Sequence, residues 1–170
     1  KTLARIGVGP LAVCLSVVFA DCALTARAQE ARPKLILDAD TANEIDDMYA
    51  ITQMLRQSKF DVIALTSAQW IHYLAEDNSV AASQRENAAL VRLLGQTDLP
   101  IPIGSEEPMG KPWGGDDPKD SPAAQAIIKA ARGASPQQKL TVVCLGASTN
   151  LASAIKLSPE IAKNIDAYVL

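Results

Sequence analysis

The residues with the greatest chemical capacity lie in Leu37-Asp38-Ala39-Asp40-Thr41-Ala42-Asn43-Glu44-Ile45-Asp46-Asp47, where five acidic side chains fall within ten positions. Carboxylates a few ångströms apart repel by on the order of several kcal/mol at moderate effective dielectric, so a bound cation is the economical explanation of such crowding. Hard oxygen donors suit calcium or magnesium. A plainer alternative is capping, with Asn43 as N-cap and Glu44 and Asp46 in a first helical turn. That alternative leaves Asp38 and Asp40 unexplained. An EF-hand is excluded, because a loop starting at Asp38 would need glycine at its sixth position and glutamate at its twelfth, where Asn43 and Tyr49 stand.

The elements around this loop set where its carboxylates can point. Lys34-Leu35-Ile36-Leu37 before it has the pattern of a buried strand, and residues 47–55 after it carry Met48, Ile51 and Leu55 at helical spacing. The alternation continues with Val62-Ile63-Ala64-Leu65 as strand and a helix ending near Leu94-Gly95. A short edge strand is expected at Pro100-Ile101-Pro102-Ile103. A loop rich in Gly, Pro and Asp over residues 104–120 is a candidate rim, and Ser121-Pro122 has the form of an N-cap and first helical residue. Strand (140–145), helix (149–156), a helical turn opened by Ser158-Pro159 and a last strand (165–170) complete the chain. Such alternation predicts an α/β fold: a mainly parallel, Rossmann-like sheet with helices on both faces. Ligands in these folds gather at the carboxyl ends of the strands.

With 48% hydrophobic and 21% charged residues the 170-residue chain has apolar material for one sizeable core. Lys1 and Arg5, the apolar residues 6–20 and Ala26-Arg27-Ala28 have the order of an export signal, so residues 1–28 are expected to be removed and residues 29–170 to form the domain. The apolar run is about 15 residues, short of the roughly 20 that span a bilayer, so no stable membrane anchor is expected. Nor is a lipoprotein, since Asp21 precedes Cys22. The expected location is periplasmic or extracellular. Cys144 is then the single cysteine of the mature part, which excludes a disulfide within it. Losing Lys1, Arg5, Arg27 and Asp21 makes the mature part more negative than the −3 of the whole chain, which disfavours nucleic acid as a partner.

A hydrophobic strand running into Asp38-x-Asp40, followed by Asp46-Asp47 at the head of a helix, resembles the opening signature of the inosine-uridine nucleoside hydrolases. Leu145-Gly146-Ala147-Ser148-Thr149-Asn150-Leu151-Ala152, followed by Leu157-Ser158-Pro159-Glu160, resembles the same family's glycine-x-x-threonine-asparagine segment. The resemblance implies calcium-dependent hydrolysis of the N-glycosidic bond of ribonucleosides, giving free base and ribose, and it is compatible with a homo-oligomer. It implies that Asp40 and Asp47 bind calcium by their carboxylates and Thr149 by its backbone carbonyl. Asp40 would also act as general base toward the attacking water, Asp46 would bind a ribose hydroxyl, and Asp38 and Asn43 would support the loop.

The chain also departs from that pattern. Family members usually place three residues between the second and third aspartates, whereas Asp40 and Asp46 enclose five, which brings Asn43 and Glu44 close to the metal. Ser67-Ala68-Gln69-Trp70 stands where the family tends to have glycine-asparagine, so Gln69 is the candidate substitute at the ribose. Trp70, His72 and Tyr73 fall near the expected mouth, where an aromatic ring could stack on a base. Asn87 falls in a helix where it is expected to serve structure. The family's later segments, with a leaving-group histidine, base-contacting asparagines and a last calcium-binding aspartate, are not in this sequence; the 170 residues are expected to be an amino-terminal fragment, inactive alone. Two other functions fit parts of the pattern. Asp38-Ala39-Asp40-Thr41 matches the opening of haloacid-dehalogenase-like phosphatases, with Asp38 as nucleophile and magnesium as cofactor. A secreted calcium-dependent binder of sugars or nucleosides, without turnover, is the second.

Overall fold

The computed structural model describes residues 32–75, 77–111 and 115–170. The expected export signal and Trp113 lie outside the described residues.

Four strands form one parallel sheet: β1 (Lys34–Ala39), β2 (Asp61–Ser67), β3 (Leu140–Cys144) and β4 (Ile165–Val169), in the spatial order β2-β1-β3-β4. Four α-helices connect them: α1 (Asp46–Arg56), α2 (Ser79–Leu93), α3 (Pro122–Arg132) and α4 (Thr149–Leu157), the last followed by a 3-10 helix at Pro159–Asn164. Alternate residues of the strands face opposite layers. Leu35, Leu37, Ala39 and Leu65 pack with Ile51 of α1 and Val91 of α2, while Ile36, Ala64, Val142 and Cys144 pack with α3, α4 and the 3-10 helix. The sheet is therefore covered on both faces, as the near-continuous apolar strands require.

Local chemistry sets the helix ends. Asn78 caps α2 by accepting from the Ala81 N–H (2.9 Å), and Gly95 beyond its other end takes φ +69°, the left-handed conformation that glycine adopts without strain. Ser121 caps α3 by accepting from Ala124 N–H (3.2 Å), with Pro122 in the first turn as expected. The edge strand expected at residues 100–103 is not a strand. Pro100 accepts one hydrogen bond from Leu65 N–H (3.0 Å) along the free edge of β2, but two prolines in four residues remove the donors a ladder needs.

Two features of the sheet bear on the acidic loop. The chain passes from β1 outward to β2 and then returns to β3 on the opposite side of β1, so the loops after β1 and β3 diverge and open a crevice at their carboxyl ends. The β1–β2 pairing also shifts by one residue at Ile63, so that Leu35 faces Val62 but Ile36 faces Ala64. A one-residue shift exchanges the faces of all later side chains, and here it sets Thr66 beside Asp38.

Candidate active site at the sheet switch point

Asp38 is the last buried acidic residue before β1 ends. Its Oδ1 accepts from the Thr66 hydroxyl (2.7 Å) and from Asn150 Nδ2 (2.9 Å), while its buried Oδ2 has no partner among the described residues. Burial pushes its carboxyl up to about 6, against the two hydrogen bonds that favour the ionised form, with the charge of Asp40 adding to the rise. A carboxylate enclosed in this way cannot reach a substrate phosphorus, which removes Asp38 as a nucleophile. Its hydrogen bonds tie the end of β1 to Thr66 of β2 and to Asn150 of α4.

Asp40 and Asp47, 7% and 6% exposed, bring their carboxyls close enough to share a proton. Burial raises Asp40, opposed by the hydrogen bond that Asn43 Nδ2 donates to its Oδ2 (3.1 Å). Asp47 is pushed up to about 7, first by burial and then by the charges of Asp40 and Asp46. Asn43 thus supports the loop through Asp40 and does not cap α1. The helix starts instead after Ile45 with no side-chain cap, its first-turn N–H groups facing Asp46 and Asp47.

The loop after β3 closes the site from the other side. Leu145 N–H donates to Asp38 carbonyl oxygen (2.8 Å), which places Gly146 directly on the Asp40 carboxylate. A Cβ at Gly146 would sit inside the contact radius of both carboxylate oxygens, so glycine is required by this close approach. Beyond it, Ser148 precedes α4 and Thr149 opens it, with the Thr149 hydroxyl accepting from Gln69 Nε2 (3.3 Å). Gln69 and Thr149 border a cavity of about 810 Å³ that continues over Trp70, Met109 and Ile155. Met109 belongs to the loop expected to form the rim.

Not all expected residues converge. Asp46 and Glu44 are exposed and act on the buried pair through charge alone. Among the described residues no three His, Cys, Asp or Glu side chains come together closely enough to hold a metal ion, so of the five crowded acidic residues only Asp40 and Asp47 form a buried pair. That pair nevertheless fits a cation: its donors are hard oxygens, and Asp47 Oδ2 is buried without any hydrogen-bond partner.

The supporting network is the part that sequence patterns miss. Asn150 Nδ2 donates to Asp38 and to Ser67 carbonyl oxygen (3.0 Å), and its Oδ1 accepts from Ser105 N–H (3.2 Å) and the Ser121 hydroxyl (3.3 Å). Thr41 donates to Asn87 Oδ1 (2.6 Å), whose Nδ2 donates to Thr66 carbonyl oxygen (3.4 Å), so Asn87 is structural as expected. Asn150 is the asparagine of the glycine-x-x-threonine-asparagine segment marked in the sequence, but nothing in its spacing named the four groups it holds.

Comparison with known proteins agrees with this geometry. Probable uridine nucleosidase 2 of Arabidopsis thaliana is 30% identical over 158 residues, covering 82% of this chain and 47% of its own length. Among solved structures, an inosine-guanosine nucleoside hydrolase aligns with TM-score 0.61 at 26% identity, covering 81% of this chain and 49% of its own. A plant nucleoside hydrolase (TM-score 0.64, 24% identity, 81% and 47% covered) and a purine-preferring ribonucleoside hydrolase from Gardnerella vaginalis (0.62, 24%, 81% and 48%) share the fold. The chain spans about half the length of these relatives. The profile of the inosine-uridine preferring nucleoside hydrolases matches residues 35–170, a span that holds both the Asp40–Asp47 pair and the Thr149-Asn150 segment, and the chain belongs to that family.

Proposed function

We propose that the protein is an exported ribonucleoside hydrolase that uses calcium. The observation that carries this reading is the Asp40–Asp47 pair at the crevice between β1 and β3, with one buried carboxylate oxygen lacking a partner. Asp40 and Asp47 would hold the ion by their carboxylates and Thr149 by its carbonyl oxygen. Calcium, when bound, supplies the positive charge that keeps both carboxylates ionised, grips the ribose hydroxyls and acidifies the attacking water.

The remaining chemistry falls to the chain. The bond from C1′ to the base nitrogen breaks as a water oxygen bonds to C1′; Asp40 takes the proton that this water loses, and the base nitrogen leaves with the bonding pair and takes up a proton from solvent. Gly146 and Asn43 fix the orientation of that carboxylate. Asp46, exposed at the head of α1, and Gln69, at the border of the cavity, would bind ribose hydroxyls. The transition state carries positive charge on the sugar, which the surrounding carboxylates stabilise. Because recognition runs through the 2′ and 3′ hydroxyls, 2′-deoxyribonucleosides should be poor substrates. Export, by way of residues 1–28, would put the activity in the periplasm or outside the cell.

The test is Asp40→Asn in the full-length protein, assayed for base release from inosine and uridine with calcium present. A loss of roughly 10³-fold in kcat is expected from a missing general base. Turnover within tenfold of the parent would refute the assignment.

A further inference from the structure

The rim loop and the cavity meet on one helix. Asn150 of α4 accepts from Ser105 N–H on the outgoing arm of the loop (3.2 Å), Ser153 accepts from Lys119 N–H on the returning arm (3.0 Å), and Lys156 pairs with Asp116 farther out (2.5 Å). These contacts are unequal. The Lys156–Asp116 pair is exposed on both sides, where an ion pair contributes little, and Asn150 is shared with the network around Asp38. Ser153 is fully buried, and the Lys119 N–H is the group its hydroxyl receives. A buried hydroxyl that accepts a backbone N–H fixes that backbone, because breaking the bond leaves both groups short of a partner.

The fixed backbone governs the rest of the loop. Lys119 Nζ crosses from the returning arm to Glu107 on the outgoing one (3.2 Å), while also pairing with Asp117 (2.6 Å). Beyond that neck the arms touch: a Cβ at Gly115 would fall on the Met109 carbonyl oxygen. Pro108 and Met109, half-buried between exposed Glu107 and Gly110, line the cavity together with Gln69 and Thr149.

We infer that Ser153 is a positioning residue for the substrate: through Lys119 it sets where Pro108 and Met109 stand at the cavity, though it does not line the cavity itself. This rests on the reading of the protein as a ribonucleoside hydrolase. The reacting groups are held by other contacts, Asp40 by Asn43 and Gly146, and the Gly146 loop by the bond from Leu145 N–H to the Asp38 carbonyl oxygen. Releasing the returning arm therefore leaves bond breaking intact. It adds an ordering step to each binding event, and ordering a free loop subtracts from affinity.

Kinetics and amide exchange on the full-length protein test this. In Ser153→Ala the KM for inosine and uridine is expected to rise about three- to tenfold, the effect of one net hydrogen bond, with kcat and calcium affinity within about twofold of the parent. In the unmodified protein the Lys119 amide should exchange at least about tenfold more slowly than an open loop amide, read by nuclear magnetic resonance, and Ser153→Ala should abolish that protection while the amides of α4 keep theirs. The first of these exchange readings does not depend on the variant folding. A Lys119 amide that exchanges at the open-loop rate overturns the inference, as does an unchanged KM in Ser153→Ala or a kcat that falls as far as KM rises, the mark of a merely structural side chain. Conversely, a protein that cleaves no ribonucleoside, yet whose Lys119 protection is lost in Ser153→Ala, sustains the loop anchor and overturns the hydrolase reading.

Discussion

Asn150 is the side chain whose replacement should cost the fold most for its size. It is 1% exposed and all four of its hydrogen bonds go to buried or half-buried groups: Asp38, Ser67, Ser105 and Ser121. Asn150→Ala leaves Asp38 with one donor instead of two, when its Oδ2 already has none, and strands the Ser67 carbonyl and the Ser105 N–H. Each buried group left without a partner costs about 1–3 kcal/mol, so a destabilisation of roughly 3–5 kcal/mol is expected, a large share of the stability of an ordinary domain. Asn150→Asp keeps the shape but sets a second carboxylate against Asp38 at the present 2.9 Å contact, and should be the worse variant at neutral pH. The pH dependence follows from Asp38. Its folded pKa of about 6 lies above the ordinary 3.8, so the folded state binds this proton more tightly, and its contribution to stability is greatest below 3.8 and is lost as pH rises through about 6. That rise corresponds to on the order of 3 kcal/mol in the parent protein. A second carboxylate raises the folded value further, so the deficit of Asn150→Asp should widen between pH 4.5 and pH 7.5. Urea unfolding in EDTA at the two pH values, followed by circular dichroism, measures all of this. An Asn150→Ala protein within about 1 kcal/mol of the parent, or an Asn150→Asp deficit that does not grow with pH, would show that Asn150 is not the clamp described.

Gly146→Ala should force a Cβ onto the Asp40 carboxylate; calcium affinity is expected to fall at least about tenfold, with a stability cost of roughly 1–3 kcal/mol, read by calorimetry and by thermal unfolding in EDTA. Wild-type calcium affinity in this variant would mean that the loop yields and Asp40 does not. Calcium binding should also release protons. Asp47, pushed up to about 7, must lose its proton to bind the ion, so affinity should weaken by up to about tenfold per pH unit below 7. Calorimetry at pH 6 in buffers of different ionisation enthalpy should report close to one proton per calcium, and a value near zero would count against the shared-proton pair.

Much of the fold was legible because its signals are local. The apolar runs of β1 and β3, the Asn78 and Ser121 caps and the Gly95 stop each depend on a few neighbouring residues. Pro100 and Pro102 misled because their apolar spacing is that of a strand, while their missing N–H groups allow only one backbone bond to β2. Charge crowding marked the acidic loop, and the resemblance to the family singled out Asp40 and Asp47 within it. The partners of Asp38 were not, since Thr66 reaches it only through the register shift at Ile63 and Asn150 only through the packing of α4, and neither is written in spacing along the chain.

The longer loop between Asp40 and Asp46 shows why an insertion need not dismantle such a site. The extra residues are taken up in a turn closed by Asn43 N–H to the Asp40 carbonyl oxygen (2.7 Å), and the same asparagine returns its side chain to the Asp40 carboxylate. On the entry side Thr41 is buried and tied to Asn87; on the exit side Asp47 is buried in the first turn of α1. With both ends held, the added length can only bulge outward, and Asn43, Glu44 and Ile45 are the residues left exposed. The helix starts without a side-chain cap, and the first-turn aspartates favour its N-terminus through the dipole. Asp40 and Asp47 are therefore both buried at the crevice despite the longer loop, and the loop reaches them through Asn43, whose side chain steadies the Asp40 carboxylate.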